Sequence, residues 1–270
     1  MNDILLRSLT GAAFVGLIIG GLYFGEYTTV GVLSLFIVLG LSEFYRLFRN
    51  SKTVSPDEKI GMVGGISILF VLIYMRWEFL DAKYIVLLLP LTFLALIPEL
   101  FRKSKSPLSN VAVTVFGWVY VILPLFLVMA LKDVEAKEGQ WLIPVGMFTI
   151  IWSNDTFAYL TGRMIGKNKL FERISPKKTW EGTVGGIVFA MFAGYLFSEL
   201  TNMSLVFWIP AAFLAAFGAI FGDLFESMIK RSLGIKDSGN ILPGHGGILD
   251  RFDATLFAAP LFYTWYIICI

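Results

Sequence analysis

Apolar runs of about 20 residues recur from one end of the chain to the other, separated by short polar or basic clusters. A helix of that length crosses a hydrocarbon core of roughly 30 Å. Nine such segments are predicted, near residues 4–24, 28–48, 61–80, 84–101, 109–131, 141–162, 182–201, 205–226 and 252–270. Lipid leaves backbone polar groups unsatisfied, and the runs lack the alternation of a barrel, so each is expected as a helix. The third is the least regular, because Gly61, Gly64 and Gly65 weaken its start and Arg76 interrupts its end. The fourth carries Pro90 and Pro98. The expected fold class is an all-α polytopic integral membrane protein of about nine transmembrane helices.

Composition agrees, with 57% of residues hydrophobic and only 16% charged, where soluble domains hold about a quarter. No small-residue cleavage site follows Ile4–Phe24 and more spans come after it, so a cleaved leader is not expected. Cys269 is the single cysteine, which excludes an intramolecular disulfide and a cysteine-based zinc site. No nucleic-acid partner is expected.

The connections between spans alternate in charge. With the N-terminus on one side, that side receives every Lys and Arg except Arg76, Lys83, Lys132 and Lys137. Those four stand opposite, among Glu26, Glu78, Asp81, Asp133, Glu135 and Glu138. The positive-inside rule assigns the basic side to the cytoplasm, and nine spans then leave the C-terminus external. The expected location is the cell (inner or plasma) membrane. Five spans form an N-terminal region, 1–140, and four form a C-terminal region, 141–270. The latter contains two long cytoplasmic loops, 163–181 and 227–251, which alone are polar enough for chemistry. Gly16-x-x-x-Gly20 and Gly182-x-x-Gly185-Gly186 permit close helix approach, within one chain or between copies as a homodimer.

The acids stand out first. Asp155, in Trp152-Ser-Asn-Asp155, lies inside the sixth span, and Asp223 near the end of the eighth. An ionised carboxylate in hydrocarbon costs at least ~2.5 kcal/mol, so such groups face a polar cavity or a basic partner. Asp250 and Asp253 are three apart, on one face if helical. Together with Asp223 they make a set of hard oxygen ligands for Mg²⁺, which takes one or two carboxylates plus phosphates. One Asp at a helix start is explained by the macrodipole alone. Ser227, Lys230 and Arg231 fall on the Asp223 face of a continuing helix, with Lys236 and Arg251 nearby in sequence. Carboxylates and cations on one face suit a metal–phosphate complex; singly, each cation reads as an interfacial anchor.

Pro243-Gly-His-Gly-Gly247 precedes the aspartate pair. Its glycines, Gly246 and Gly247 among them, let backbone N–H groups converge on an anion at a helix start. His245, the one histidine, is read as hydrogen-bonding or structural. Ser175-Pro176 reads as an N-cap and first helical position, which places Lys177, Lys178 and Thr179 in the first turn, facing phosphate. Trp180 suits the bilayer interface or stacking on a base. Glu181 and Asp237 are open between ligand, loop anchor and bystander.

Together these residues resemble the phosphatidate cytidylyltransferase, or CDP-diacylglycerol synthase, family. Its motif runs Ser-x-apolar-Lys-Arg, Lys-Asp, Pro-x-His-Gly-Gly and Asp-Arg-apolar-Asp, and Ser227–Asp253 matches it throughout. Asn154-Asp155-Thr-Phe-Ala-Tyr159 and Ser175–Gly182 look like the family's other polar blocks. The N-terminal half matches by hydropathy alone. The resemblance implies attack of the phosphate of phosphatidic acid on the α-phosphorus of CTP, with pyrophosphate leaving. Lys230, Arg231, Asp250 and Asp253 would be catalytic. Lys177, Lys178, Thr179, Ser227, Lys236, His245, Gly246, Gly247, Arg251, Asn154 and Asp155 would meet the substrates. Asp223, Asp250 and Asp253 would hold Mg²⁺, with room for a second cation such as K⁺. The rivals are a transferase activating another lipid phosphate with CTP and an ion-coupled transporter. A CDP-alcohol phosphotransferase would need Asp-x-x-Asp-Gly with a further Asp-x-x-x-Asp, which is absent.

Overall fold

Helix formation follows the apolar runs closely. A computed structural model describes residues 3–51, 53–132, 139–239, 241 and 246–270. Lys52, Asp133, Glu135, Lys137, Glu138 and the Pro243–His245 part of the glycine-rich motif lie outside the described residues. The chain is a polytopic all-α membrane protein. Its helices are α1 (Asp3–Tyr23), α2 (Glu26–Leu47), α3 (Glu58–Arg76), α4 (Leu88–Phe101), α5 (Pro107–Gly117), α6 (Leu123–Ala130), α7 (Leu142–Ile165), α8 (Trp180–Thr201), α9 (Leu205–Ser232) and α10 (Leu249–Cys269). The fourth span opens as a 3₁₀ turn, Ala82–Leu87, and a π-helical turn, Trp118–Ile122, joins α5 to α6.

Among the described residues, seven helical stretches are long and apolar enough to cross a membrane. The first span contributes a shorter apolar helix, Ser8–Tyr23, beside these seven. α7 is 24 residues long and is not one of the seven; Ser153, Asn154 and Asp155 interrupt its apolar surface.

The chain divides into two units. The first is Met1–Phe126 with Asp237–Arg251; the second is Leu127–Lys236 with Phe252–Ile270. In the first, α2 packs against α1 and α3. The glycines that weaken the start of α3 have a packing purpose. A Cβ on Gly61 would overlap the Tyr45 ring, and one on Gly64 the Trp118 ring. Trp118 Nε1 donates to the Gly61 carbonyl at 2.7 Å. Arg76 ends α3 and is paired with Glu26 of α2 through two hydrogen bonds, at 2.6 and 3.0 Å.

In the second unit, α8 packs on α7 and on α9. Small residues set each crossing, as expected where lipid supplies no hydrophobic drive between helices. A Cβ on Gly182 would meet the Ala158 carbonyl at 2.6 Å, and one on Gly186 the Asn154 carbonyl at 2.7 Å. The Gly182-x-x-Gly185-Gly186 face is therefore occupied by α7 of the same chain. Gly194 plays this part toward Ala212 and Trp208 of α9. Gly218 and Gly222 of α9 lie against the backbone of Phe257–Ala258 and Asp253–Ala254 of α10.

The stretch before α8 departs from the sequence expectation. Ser175–Thr179 is a strand, β2, paired antiparallel with β1 (Lys169–Phe171), with Lys169 opposite Thr179 and Phe171 opposite Ser175. Ser175-Pro176 does not start a helix. The cap is Thr179, whose Oγ1 accepts the Gly182 amide at 3.1 Å, and α8 begins at Trp180. The hairpin satisfies the backbone of this stretch, leaving it no need of a helical turn.

Candidate active site

The second unit gathers charge around α9. This helix runs 28 residues, past the predicted end of its span, to Ser232. The Ser204 side chain accepts the Val206 amide and caps its start, and Ala211, Ala212, Ala215, Ala216 and Ala219 give it an unobstructed buried side. The extension places Asp223, Glu226, Ser227 and Lys230 on one continuous helix. Ser227 Oγ donates to Asp223 Oδ1 at 3.2 Å. Lys230 Nζ meets Glu226 Oε2 at 2.5 Å, and both side chains are largely buried.

Two other elements deliver partners. β2 presents Lys178, whose Nζ lies 2.6 Å from Asp223 Oδ2. The predicted basic turn thus reaches the predicted acid, from a strand instead of a helix. Asp155 of α7 interacts electrostatically with Asp223 and Lys178. Asp253 of α10 feels Asp223, Glu226 and Asp155. The contact of Gly222 with the Asp253 carbonyl brings the neighbouring Asp223 to this turn of α10. Three aspartates from three helices thus share one region with Lys178 and the Glu226–Lys230 pair. Such a set repels itself unless cations balance it. Among the described residues no three Asp, Glu, His or Cys side chains converge as a closed metal cage.

The remaining predicted residues are placed as follows. Thr179 is buried and committed to capping α8. Asn154 is buried and donates Nδ2 to Asp155 Oδ1 at 3.2 Å. Lys177, Lys236 and Arg251 are exposed. Arg231 donates to the Ile235 carbonyl at 3.3 Å, closing the turn after α9. Glu181 is a loop anchor: its carboxylate accepts the amides of Lys167 and Asn168 and the Asn168 side chain.

In the first unit, Asp250 accepts the Ser238 amide at 3.0 Å and the Gly247 amide at 2.8 Å. Gly246 takes φ of +80°, which favours glycine. The Gly247 amide, expected to face a phosphate, here serves the protein's own carboxylate. His245 lies outside the described residues.

Two acids were missed by sequence reasoning, Glu226 and Glu43. Glu226 is one helical turn from Lys230, a spacing that foretells their pair. Glu43 is a buried carboxylate inside an apolar span, itself a mark of function.

The profile of the cytidylyltransferase family matches residues 5–269. A phosphatidate cytidylyltransferase of Bacillus subtilis (strain 168) is 31% identical over 277 residues, covering 97% of each chain. The chloroplastic phosphatidate cytidylyltransferase 5 of Arabidopsis thaliana is 32% identical, over 96% of this chain and 71% of its own. A phosphatidate cytidylyltransferase of Haemophilus influenzae is 37% identical over 60% of this chain and 59% of its own.

Proposed function

The chain belongs to the cytidylyltransferase family, and from that premise we propose that it is a membrane phosphatidate cytidylyltransferase. Its substrates are CTP and phosphatidic acid, and its products are CDP-diacylglycerol and pyrophosphate. A phosphate oxygen of the lipid attacks the α-phosphorus of CTP. The bond from that phosphorus to the bridging oxygen of the β-phosphate breaks, and pyrophosphate leaves with the electron pair. A phosphate nucleophile is already ionised, so no side chain has to remove a proton. What remains for the protein is in-line positioning and neutralisation of charge.

The observation that carries this reading is the joining of the basic strand β2 to the acidic helix α9 through Lys178 and Asp223. Two motifs 45 residues apart in sequence meet in one place, with Asp155 and Asp253 within electrostatic range. Lys177, Lys178, Lys230 and Arg231 are assigned to phosphate charge. Asp223 and Asp253 fit Mg²⁺, which is completed by phosphate oxygens and needs no protein cage, and Asp250 keeps the metal-binding and catalytic role that the family motif implies for it. Bound there, the ion would offset triphosphate charge and the mutual repulsion of the aspartates. The excess of Lys and Arg on alternate connections supports a cytoplasmic N-terminus and cytoplasmic polar loops, with the C-terminus external.

The test is pyrophosphate release from CTP by purified protein in detergent–phosphatidic acid micelles, with Mg²⁺ and with chelator, beside Asp250→Asn. We expect release to need lipid and metal, and to fall at least ~10²-fold in the variant, about 2.7 kcal/mol of barrier. Folded protein that releases no pyrophosphate would reject this substrate pair. Other lipid phosphates would then be tried with CTP.

A further inference from the structure

We infer that Glu43, on the second helix and far in sequence from every motif residue, is a positioning residue of this reaction. It holds the loop that aims Asp250. The inference takes the proposed transferase activity as its premise.

Glu43 is 2% exposed, although it stands in a span that is otherwise apolar. Burying a carboxylate there is costly unless fixed donors meet it. They come from the first turn of α10 and the loop before it. Glu43 Oε2 accepts the Leu249 amide at 2.8 Å, across 206 residues of sequence. Its other oxygen, Oε1, is wedged between two glycines. A Cβ on Gly239 or on Gly247 would overlap it, and the Gly247 Cβ would also overlap Ser238 Oγ. The loop has glycine at these positions because the carboxylate fills the space that side chains would take. The seat holds the carboxylate against the loop on two sides.

The same loop serves Asp250. The amides of Ser238 and Gly247 go to Asp250, and the Leu249 amide goes to Glu43. Two carboxylates therefore share one set of backbone donors. Glu43 ties the loop to α2, and the tied loop fixes the direction of Asp250. Removing Glu43 frees Leu249 and the glycine pair together, and Asp250 loses the frame that orients it. The N-terminal half, which resembled the family by hydropathy alone, supplies this frame.

The experiment compares Glu43→Ala and Glu43→Gln in the full chain in lipid nanodiscs. Hydrogen exchange of the peptides carrying Ser238–Gly239 and Gly246–Asp250 is read beside lipid-dependent CTP turnover. Exchange needs no substrate, so it reports on the anchor even if the assigned reaction fails. In Glu43→Ala the loop peptides lose protection while peptides of α7 and α8 keep theirs. Turnover falls about 10–10²-fold in kcat, with KM for CTP moving less than about threefold. Glu43→Gln keeps an acceptor for Leu249 and restores both readings to near wild type. Folded Glu43→Ala with an unchanged loop and unchanged kcat overturns the inference. So does Glu43→Gln as damaged as alanine, because the acceptor would then not be what matters. Should Glu43→Ala fail to fold, Gly239→Ala takes its place: it keeps the carboxylate but crowds it off its seat. The same two losses are expected there, and their absence overturns the inference.

Discussion

Substituting Gly218 by alanine tests whether the packing of α9 on α10 sets the geometry of the acidic cluster. A Cβ at Gly218 would stand 2.7 Å from Ala258 Cα and 2.8 Å from the Phe257 carbonyl. Both are backbone atoms, so no side chain can swing aside. α10 must retreat by several tenths of an ångström. Overpacking of this kind costs ~1–3 kcal/mol, and alanine returns about 1 kcal/mol of helix propensity. The net loss of stability is therefore small, at most about 2 kcal/mol. Activity is the sharper reading. Gly218 is one turn from Gly222 and Asp223, and a retreat of α10 draws Asp253 away from them. A misplacement of about 1 Å can cost ~10²-fold, so several tenths should cost about tenfold in kcat. The assay is lipid-dependent pyrophosphate release in micelles, with thermal unfolding followed by tryptophan fluorescence. Gly31→Ala is the control, since nothing lies within 4 Å of a Cβ at that position of α2. It should leave turnover unchanged and stability equal or higher. Turnover in Gly218→Ala within twofold of the control would refute the reasoning: the crossing would then tolerate a methyl group, and the cluster would not depend on it.

Two further outcomes follow from the structure. Arg76→Ala leaves the nearly buried Glu26 without its two donors and should destabilise by ~3 kcal/mol in thermal or denaturant unfolding, while replacing both residues with methionine should recover most of that loss. Thr179→Ala removes the cap of α8 and should cost about 1 kcal/mol in the same assay, whereas Thr179→Ser should keep nearly all of it, because the hydroxyl still accepts the Gly182 amide.

The sequence was most legible where physics is local. Asp223, Ser227 and Lys230 share a face only if the eighth helix runs past its apolar segment into the stretch read as a loop, and α9 does so. Ser175-Pro176 misled, since the dipeptide is a sound helix-start signal. A three-residue strand such as Lys169–Phe171 is too short to show alternation, so the competing hairpin left no trace to weigh against it. Lys178 still reached Asp223, because a strand end delivers a long side chain as well as a helix turn does. Glu43 was illegible for a different reason. Its seat is made by Gly239, Gly247 and Leu249, about 200 positions away, and no window along the chain contains both sides. The same holds for Gly218 and Gly222, whose smallness has meaning only once the backbone of α10 lies against them.

The long reach from Glu43 to Leu249 also orders events in time. Ribosomes add roughly 5–20 residues each second, so the 206 residues between the two take on the order of 10–40 s to make. During that interval α2 exists while the amide that receives its carboxylate does not. The newborn helix must wait with Glu43 protonated, hydrated or sheltered by the insertion machinery. The first unit closes only when Asp237–Arg251 has been synthesised. A chain released before that segment is made would thus carry an unmet acid in its second helix, a ready mark by which quality control can recognise it.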